Sequence, residues 1–164
     1  VAAAGRCGLC LSGGQFHQRC HLRTAGPDVV HPRSARGTDG FRGRSLPLEC
    51  FAPLARSWRG SLLALQKGPG SEQLGTCSFR DRFVACQELV SATWDFEETA
   101  AIIANCDLVI SSDTVVAHLA GGLGHPTWLL LKQVPEWRWG LEGDTSFWYP
   151  SLRLFRQVER GKRS

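Results

Sequence analysis

Apolar residues along this chain fall into two kinds of run, and the two kinds alternate. Residues 7–11, 61–65, 106–111 and 127–131 are short, nearly continuous apolar stretches bounded by turn residues. Such runs predict strands buried on both faces of a parallel sheet. The segments between them carry helical spacing. Arg44-Ser45-Leu46-Pro47-Leu48-Glu49 reads as a helix start with Ser45 as N-cap and Phe51, Leu54 and Ala55 on the inner face, ended by Trp58-Arg59-Gly60. Glu72-Gln73-Leu74 begins another helix, and residues 83–89 form a further short element. Asp95 with Glu98 three positions later makes a capping-box pattern, ahead of Phe96, Ala100, Ile103 and Ala104 on one helical face. A last helix spans 115–123, closed by Gly124 as C-cap glycine and then Pro126. The alternation predicts an α/β fold, a Rossmann-like parallel sheet with flanking helices.

That architecture directs attention to the strand ends, because open parallel sheets bind ligands beyond the carboxyl ends of their strands. Three loops fall on that rim: Ser12-Gly13-Gly14, Gln66-Lys67-Gly68 and Ser112-Asp113-Thr114. The third leads straight into the helix at Val115, whose N-terminal N–H groups and partial positive charge suit phosphate. His118 follows one turn along the same helix. A carboxylate, a hydroxyl and an imidazole are thus expected together, with Ser112, Asp113, Thr114, Val115 and His118 as candidate phosphate-binding residues. The alternative stays open that Asp113 and Thr114 only cap the helix and that His118 is a half-buried structural histidine. Lys67, in a Gly-flanked turn, is a further candidate for phosphate or a plain surface lysine. Gly68-Pro69-Gly70 lacks the glycine spacing and the Lys-Ser/Thr pair of a P-loop.

Composition changes the picture in a few places. With 164 residues, 43% hydrophobic and 21% charged, the chain suits one globular domain with a real core. No apolar run approaches the roughly 20 residues of a membrane span, and no signal-peptide pattern opens the chain. A net charge of +4 favours an anionic ligand, but many arginines lie in the irregular first quarter and the tail, so nucleic acid is not expected. Residues 15–43 are rich in Arg, Gly, His and Pro without periodicity, and read as an insertion, a disordered lid or a disturbed stretch of reading frame; a basic RNA-binding arm lacks interleaved aromatics. Cys7 and Cys10 have zinc-knuckle spacing, with Cys20 and His21 following, but no matching second pair. Buried thiols of a reducing cytoplasm are the expectation, and no metal. Residues 158–164 read as a frayed tail.

The stretch DLVISSDTVVAHLAGGLGHPTWLLL, residues 107–131, resembles the D-T/S-x-x-x-H-L-A-x-x-L-G-x-P signature of heptosyltransferase-like glycosyltransferases. The continuation VPEWRWGLEGDTSFWYPSLRLFRQ is similar to the bacterial glycosyltransferase domains found behind tetratricopeptide repeats, distant relatives of O-linked N-acetylglucosamine transferases. The resemblance covers residues 44–157 and implies the C-terminal, nucleotide-sugar-binding lobe of a GT-B enzyme in the bacterial cytoplasm. Residues 1–14 are then the lobe's first strand and turn, similar to the family's G-L-V-W-S-G strand, and 15–43 replace a shorter family connection of which Arg44-Ser45 survive. The resemblance further implies that Arg44 and His118 serve catalysis, Arg44 by stabilising the leaving diphosphate. It places Trp94 beside the nucleotide base, where the ring stacks on the base or seals the core. It also places Arg138, with the loop around Asp144 and Ser146, on the sugar side; otherwise the aromatic tail only packs the returning C-terminal segment on the sheet.

The chain has no methionine and begins at Val1. A two-lobed enzyme needs roughly twice this length, so an N-terminal acceptor lobe, or tetratricopeptide repeats, is expected to be missing. The expected partners are a nucleotide sugar and a protein or saccharide acceptor, with no cofactor. The other reading is a non-catalytic, degenerate nucleotide-binding or interaction module. A dinucleotide-dependent oxidoreductase fares poorly, because no G-x-G-x-x-G follows the first strand.

Overall fold

The computed structural model of the protein describes residues 9–12, 46–66, 70–92 and 95–158. Five parallel strands form one sheet: β1 (Leu9–Ser12), β2 (Leu62–Ala64), β3 (Val109–Ser112), β4 (Thr127–Leu131) and β5 (Leu152–Arg156). Their spatial order is β2-β1-β3-β4-β5. The chain therefore runs outward from β1 to β2, then crosses back to place β3 on β1's other side. Between β1 and β3 the winding direction reverses, with Ser12 paired to Ser111 at the carboxyl ends. Such a switch point is where an open α/β sheet leaves a crevice for a ligand.

Over β2 and β3 the side chains alternate between two covered faces, as a parallel sheet requires, while on β5 Arg153 and Phe155 face outward. Leu63, Val109, Ile103, Val116 and Ala120 pack on one face, under α3 (Gln87–Ala92), α4 (Phe96–Ala104) and α5 (Val115–Gly122). Leu62 and Ile110 point the other way, against Ala52 and Ala55 of α1 (Ala52–Ser57) and against Cys77 and Phe79, which follow the short α2 (Gln73–Thr76). Further along, Leu129, Leu131, Leu152 and Leu154 of β4 and β5 enclose Ala117 and Trp139. The outer edge of β2 is closed by backbone at one point, Val84 N donating to Leu62 O at 2.9 Å, and by a side chain at another: the Gln87 amide accepts from Ala64 N and donates to Ala64 O, both at 2.8 Å. That bond pair imitates a neighbouring strand and blunts the edge.

Several local readings hold. The Asp95 carboxylate accepts from Glu98 N at 2.6 Å and so caps α4. Helix α5 ends in a Schellman motif, His125 N donating to Ala120 O and Gly124 N to Gly121 O. Gly124 takes the left-handed conformation that this motif demands (φ +66°).

Four expectations change. The helix expected to start after Ser45 opens as a 3-10 turn at Leu48, with Pro47 before it, and becomes α1 only at Ala52. The inner face of α4 is built on Thr99 and Ile103, whereas Phe96 is 49% exposed and Ala104 also faces solvent. Thr99 can be buried because its hydroxyl donates to Asp95 O at 2.7 Å. The third strand begins at Val109, since Cys106 still belongs to the turn that ends α4, its N–H donating to Ile103 O. Finally, the returning C-terminal segment does not merely pack on the sheet; it joins it as β5, pairing from Thr127↔Leu152 to Leu131↔Arg156.

Candidate functional site

Strand β3 is buried along its whole length and delivers Asp113 and Thr114 at the switch point. Thr114 is the N-cap residue of α5 in extended conformation, yet its side chain makes no capping bond. The hydroxyls are arranged otherwise. Ser111 Oγ donates its one proton to Ser112 O at 2.7 Å, so across the 3.0 Å contact Thr114 Oγ1 is the donor and Ser111 Oγ the acceptor. The Thr114 hydroxyl thus turns inward and ties the loop to the strand. The first intrahelical bonds come from Ala117 and His118 to Thr114 O, so the N–H groups of Val115 and Val116 stand at the open end of the helix.

Two buried donors on this rim have no hydrogen-bond partner among the described residues: Ser112 Oγ and the indole Nε1 of Trp139. Buried polar groups are nearly always paired, and an orphan calls for an explanation. Ser112 lies at the carboxyl end of β3, two residues before the N-cap of α5.

His118 lies one turn into α5 and is held between two aromatic side chains. Its ring stacks on Trp139 at 5.2 Å between centroids and 28° between planes. It meets Tyr149 edge-on, with Nδ1 3.1 Å from Tyr149 Oη. Burial lowers its pKa; Asp113 opposes that shift, Arg138 adds to it and Glu136 opposes it. The loops after β3 and β4 therefore gather Asp113, Glu136 and Arg138 within electrostatic range of one imidazole. Arg138 is paired with Glu136 (Nε to Oε2, 3.2 Å), and its guanidinium lies over the Trp137 ring at 5.4 Å.

Of the residues expected at the site, Ser112, Asp113, Thr114, Val115 and His118 sit on one strand–helix junction, and Arg138 acts on the same imidazole. Arg44, Lys67 and Trp94 lie outside the described residues, as do Cys7, Cys20, His21 and the whole of the irregular segment 15–43. Among the described residues no group of three His, Cys, Asp or Glu side chains is placed to hold a metal. No helix among them is long and apolar enough to cross a membrane. Sequence reasoning missed Trp139, Tyr149 and Gly121 as parts of the site. The aromatic tail was the available signal, but nothing local assigns Trp139 and Tyr149 to His118.

Residues 76–144 match the family model of glycosyltransferase family 9 (heptosyltransferase). The matched span contains α3, α4, β3, α5, β4 and the turn that carries Arg138 and Trp139. It supports a glycosyltransferase, and with it a nucleotide-sugar donor and an acceptor. No curated protein and no solved structure matches the chain.

The two described histidines carry a pH prediction. Burial lowers the pKa of His118 and of His125, with Asp107 opposing the shift at His125. An unfolded imidazole titrates near pH 6.5, so as pH falls the unfolded chain takes up protons first. The stability these groups contribute is fully present above about pH 6.5 and is lost as pH drops through their folded-state values. Thermal melts from about pH 8 down to about pH 5 should show Tm falling in the lower half of that range. The double variant His118→Gln/His125→Gln should flatten the fall; an unchanged slope would assign it to other groups.

Proposed function

We propose that this lobe binds the nucleoside diphosphate part of a nucleotide-sugar donor and presents its sugar for transfer to an acceptor. The observation that carries the reading is the junction of β3 and α5: a helix N-terminus at the sheet's switch point, flanked by the orphaned Ser112 hydroxyl and by His118. The diphosphate would take the N–H groups of Val115 and Val116 and the positive end of α5. Asp113, a carboxylate, repels phosphate and is better suited to accept from a hydroxyl of the ribose or the sugar. His118 would donate to a phosphate or ribose oxygen, and Arg138 would lie on the sugar side.

In the reaction, an acceptor hydroxyl attacks the anomeric carbon, its proton passes to a base, and the bond from that carbon to the diphosphate oxygen breaks. Negative charge grows on the departing diphosphate. Fixed N–H donors and cations meet it there without reorganising, which makes them effective; Arg44 and Lys67 are the proposed cations, and Trp94 the proposed neighbour of the base. The proposal includes a GT-B arrangement in a bacterial cytoplasm, with the acceptor site and the base on an N-terminal lobe and tetratricopeptide repeats as a further partner. No metal or other cofactor enters this scheme.

Calorimetric titration of the purified chain with UDP, ADP and GDP, repeated on Asp113→Ala, tests the reading. One nucleotide should bind, and the variant should bind it at least tenfold more weakly, the cost of one hydrogen bond to a charged group. Absence of binding to all of them would favour a non-catalytic interaction module on the same fold.

A further inference from the structure

Tyr149 and His118 are 31 residues apart in sequence, yet three separate features of the fold serve their contact. Tyr149 Oη lies 3.1 Å from His118 Nδ1. The Tyr149 ring fills the space over Gly121, where an added Cβ would stand 2.6 Å from Tyr149 Cγ. The position of Tyr149 in the chain is itself set, because Ser146 Oγ accepts from both Trp148 N and Tyr149 N at 3.2 Å. On the other side Trp139 stacks on the imidazole and fixes its plane. A histidine that only filled core space would need none of this polar registration.

We propose that Tyr149 is a positioning residue for His118: its hydroxyl donates to Nδ1 and holds the imidazole as the tautomer whose proton is on Nε2. The direction follows from acid–base strength. A phenol O–H is a better donor than a neutral imidazole N–H, and an imidazole nitrogen is a better acceptor than a phenolic oxygen. With Nδ1 occupied, Nε2–H is the donor left for an oxygen of the ligand, and the partner on one nitrogen sets the role of the other. Burial supports the assignment by favouring the neutral ring. The inference rests on the nucleotide-binding reading of the site only for the purpose of that donor.

The test uses the full chain with 15N-labelled histidine, and Tyr149→Phe, which keeps the ring over Gly121 and removes only the hydroxyl. Near neutral pH the wild-type spectrum should show His118 with Nδ1 bare and Nε2 protonated, and Tyr149→Phe should show a mixture of tautomers. In the calorimetric titration Tyr149→Phe should bind the nucleotide up to tenfold more weakly than wild type, as expected for one lost hydrogen bond. A wild-type His118 with its proton on Nδ1 would overturn the inference whatever binds. So would wild-type and Tyr149→Phe proteins with the same tautomer and the same nucleotide affinity, and that result would leave the nucleotide reading standing. Failure of the wild type to bind any nucleotide, with the expected tautomers seen, would overturn the nucleotide reading and support the role of Tyr149.

Discussion

Gly121→Val is expected to destabilise the protein by about 3 kcal/mol and to weaken nucleotide binding at the same time. Gly121 lies one residue before the end of α5 and faces Tyr149. A Cβ there would come within 2.6 Å of Tyr149 Cγ, 2.8 Å of Cδ1 and 3.0 Å of Cβ. These atoms belong to the root of the side chain, not its flexible end, so relief requires moving the backbone at Tyr149 or tilting α5. Either movement draws the phenol away from His118. Helix propensity works in the other direction, since most residues favour a helix over glycine by up to about 1 kcal/mol, but that is the smaller effect. Gly122→Ala isolates it: nothing stands within 4 Å of a Cβ at Gly122, and that variant should be neutral or slightly stabilising. Urea titrations of the two variants would decide the matter. Equal stability of both would mean that α5 does not depend on the close approach of Tyr149.

The contrast between these neighbouring glycines shows where sequence reading stops. Both occur in one Ala-Gly-Gly-Leu-Gly run, and only Gly124 has a local signature, as the glycine after a helix end. The distinction between Gly121 and Gly122 depends on a tyrosine that arrives from a later part of the chain. The same limit applies across the molecule. The Asp95 cap, the apolar β4 and the stop at Gly124 are written in consecutive residues and each appears as expected, while β3 appears with its start moved to Val109. Strand β5 was missed because its Leu-Arg-Leu-Phe-Arg pattern is that of a sheet edge, with Leu152 and Leu154 buried and Arg153 and Phe155 outward. Alternation over so few residues, just after an aromatic turn, reads equally well as irregular chain.

The candidate site divides along the same line. Ser112, Asp113, Thr114, Val115 and His118 were legible because a strand end and a helix start bring them together whatever the rest of the chain does. The direction of the Thr114 hydroxyl was not, because it depends on the proton that Ser111 gives to Ser112 O. The environment of His118 depends on Trp139 and Tyr149, supplied by the loops after β4 and before β5. Periodicity carries no information about which loop aromatic meets which helix residue.

Those loops need an anchor, and this gives the second large effect: Arg156→Met is expected to cost about 3 kcal/mol, less than the sum of charged hydrogen bonds at about 1.5–3 kcal/mol each because water can replace some of them. Arg156 ends β5, and its guanidinium donates to four carbonyls of a single loop: Trp139 O at 2.6 Å, Gly143 O at 2.7 Å, Gly140 O at 2.9 Å and Glu142 O at 3.0 Å. Gly140 and Gly143 take positive φ values of 61° and 78°, turning the backbone so that these carbonyls converge on one cation. Methionine keeps much of the apolar stem and removes every donor. Lysine should rescue poorly, because one ammonium cannot reproduce the planar fork. Arg153 is the internal control: it lies on the same strand, is largely exposed, makes a 3.8 Å ion pair with Asp144 and lies over the Phe155 ring at 5.6 Å, so Arg153→Ala should stay within about 0.5 kcal/mol of wild type. Because Trp139 heads the anchored loop and stacks on His118, Arg156→Met should also shift the His118 imidazole resonances while Arg153→Ala leaves them in place. If the two variants proved equally mild in urea titration, Arg156 would have no part in setting the site.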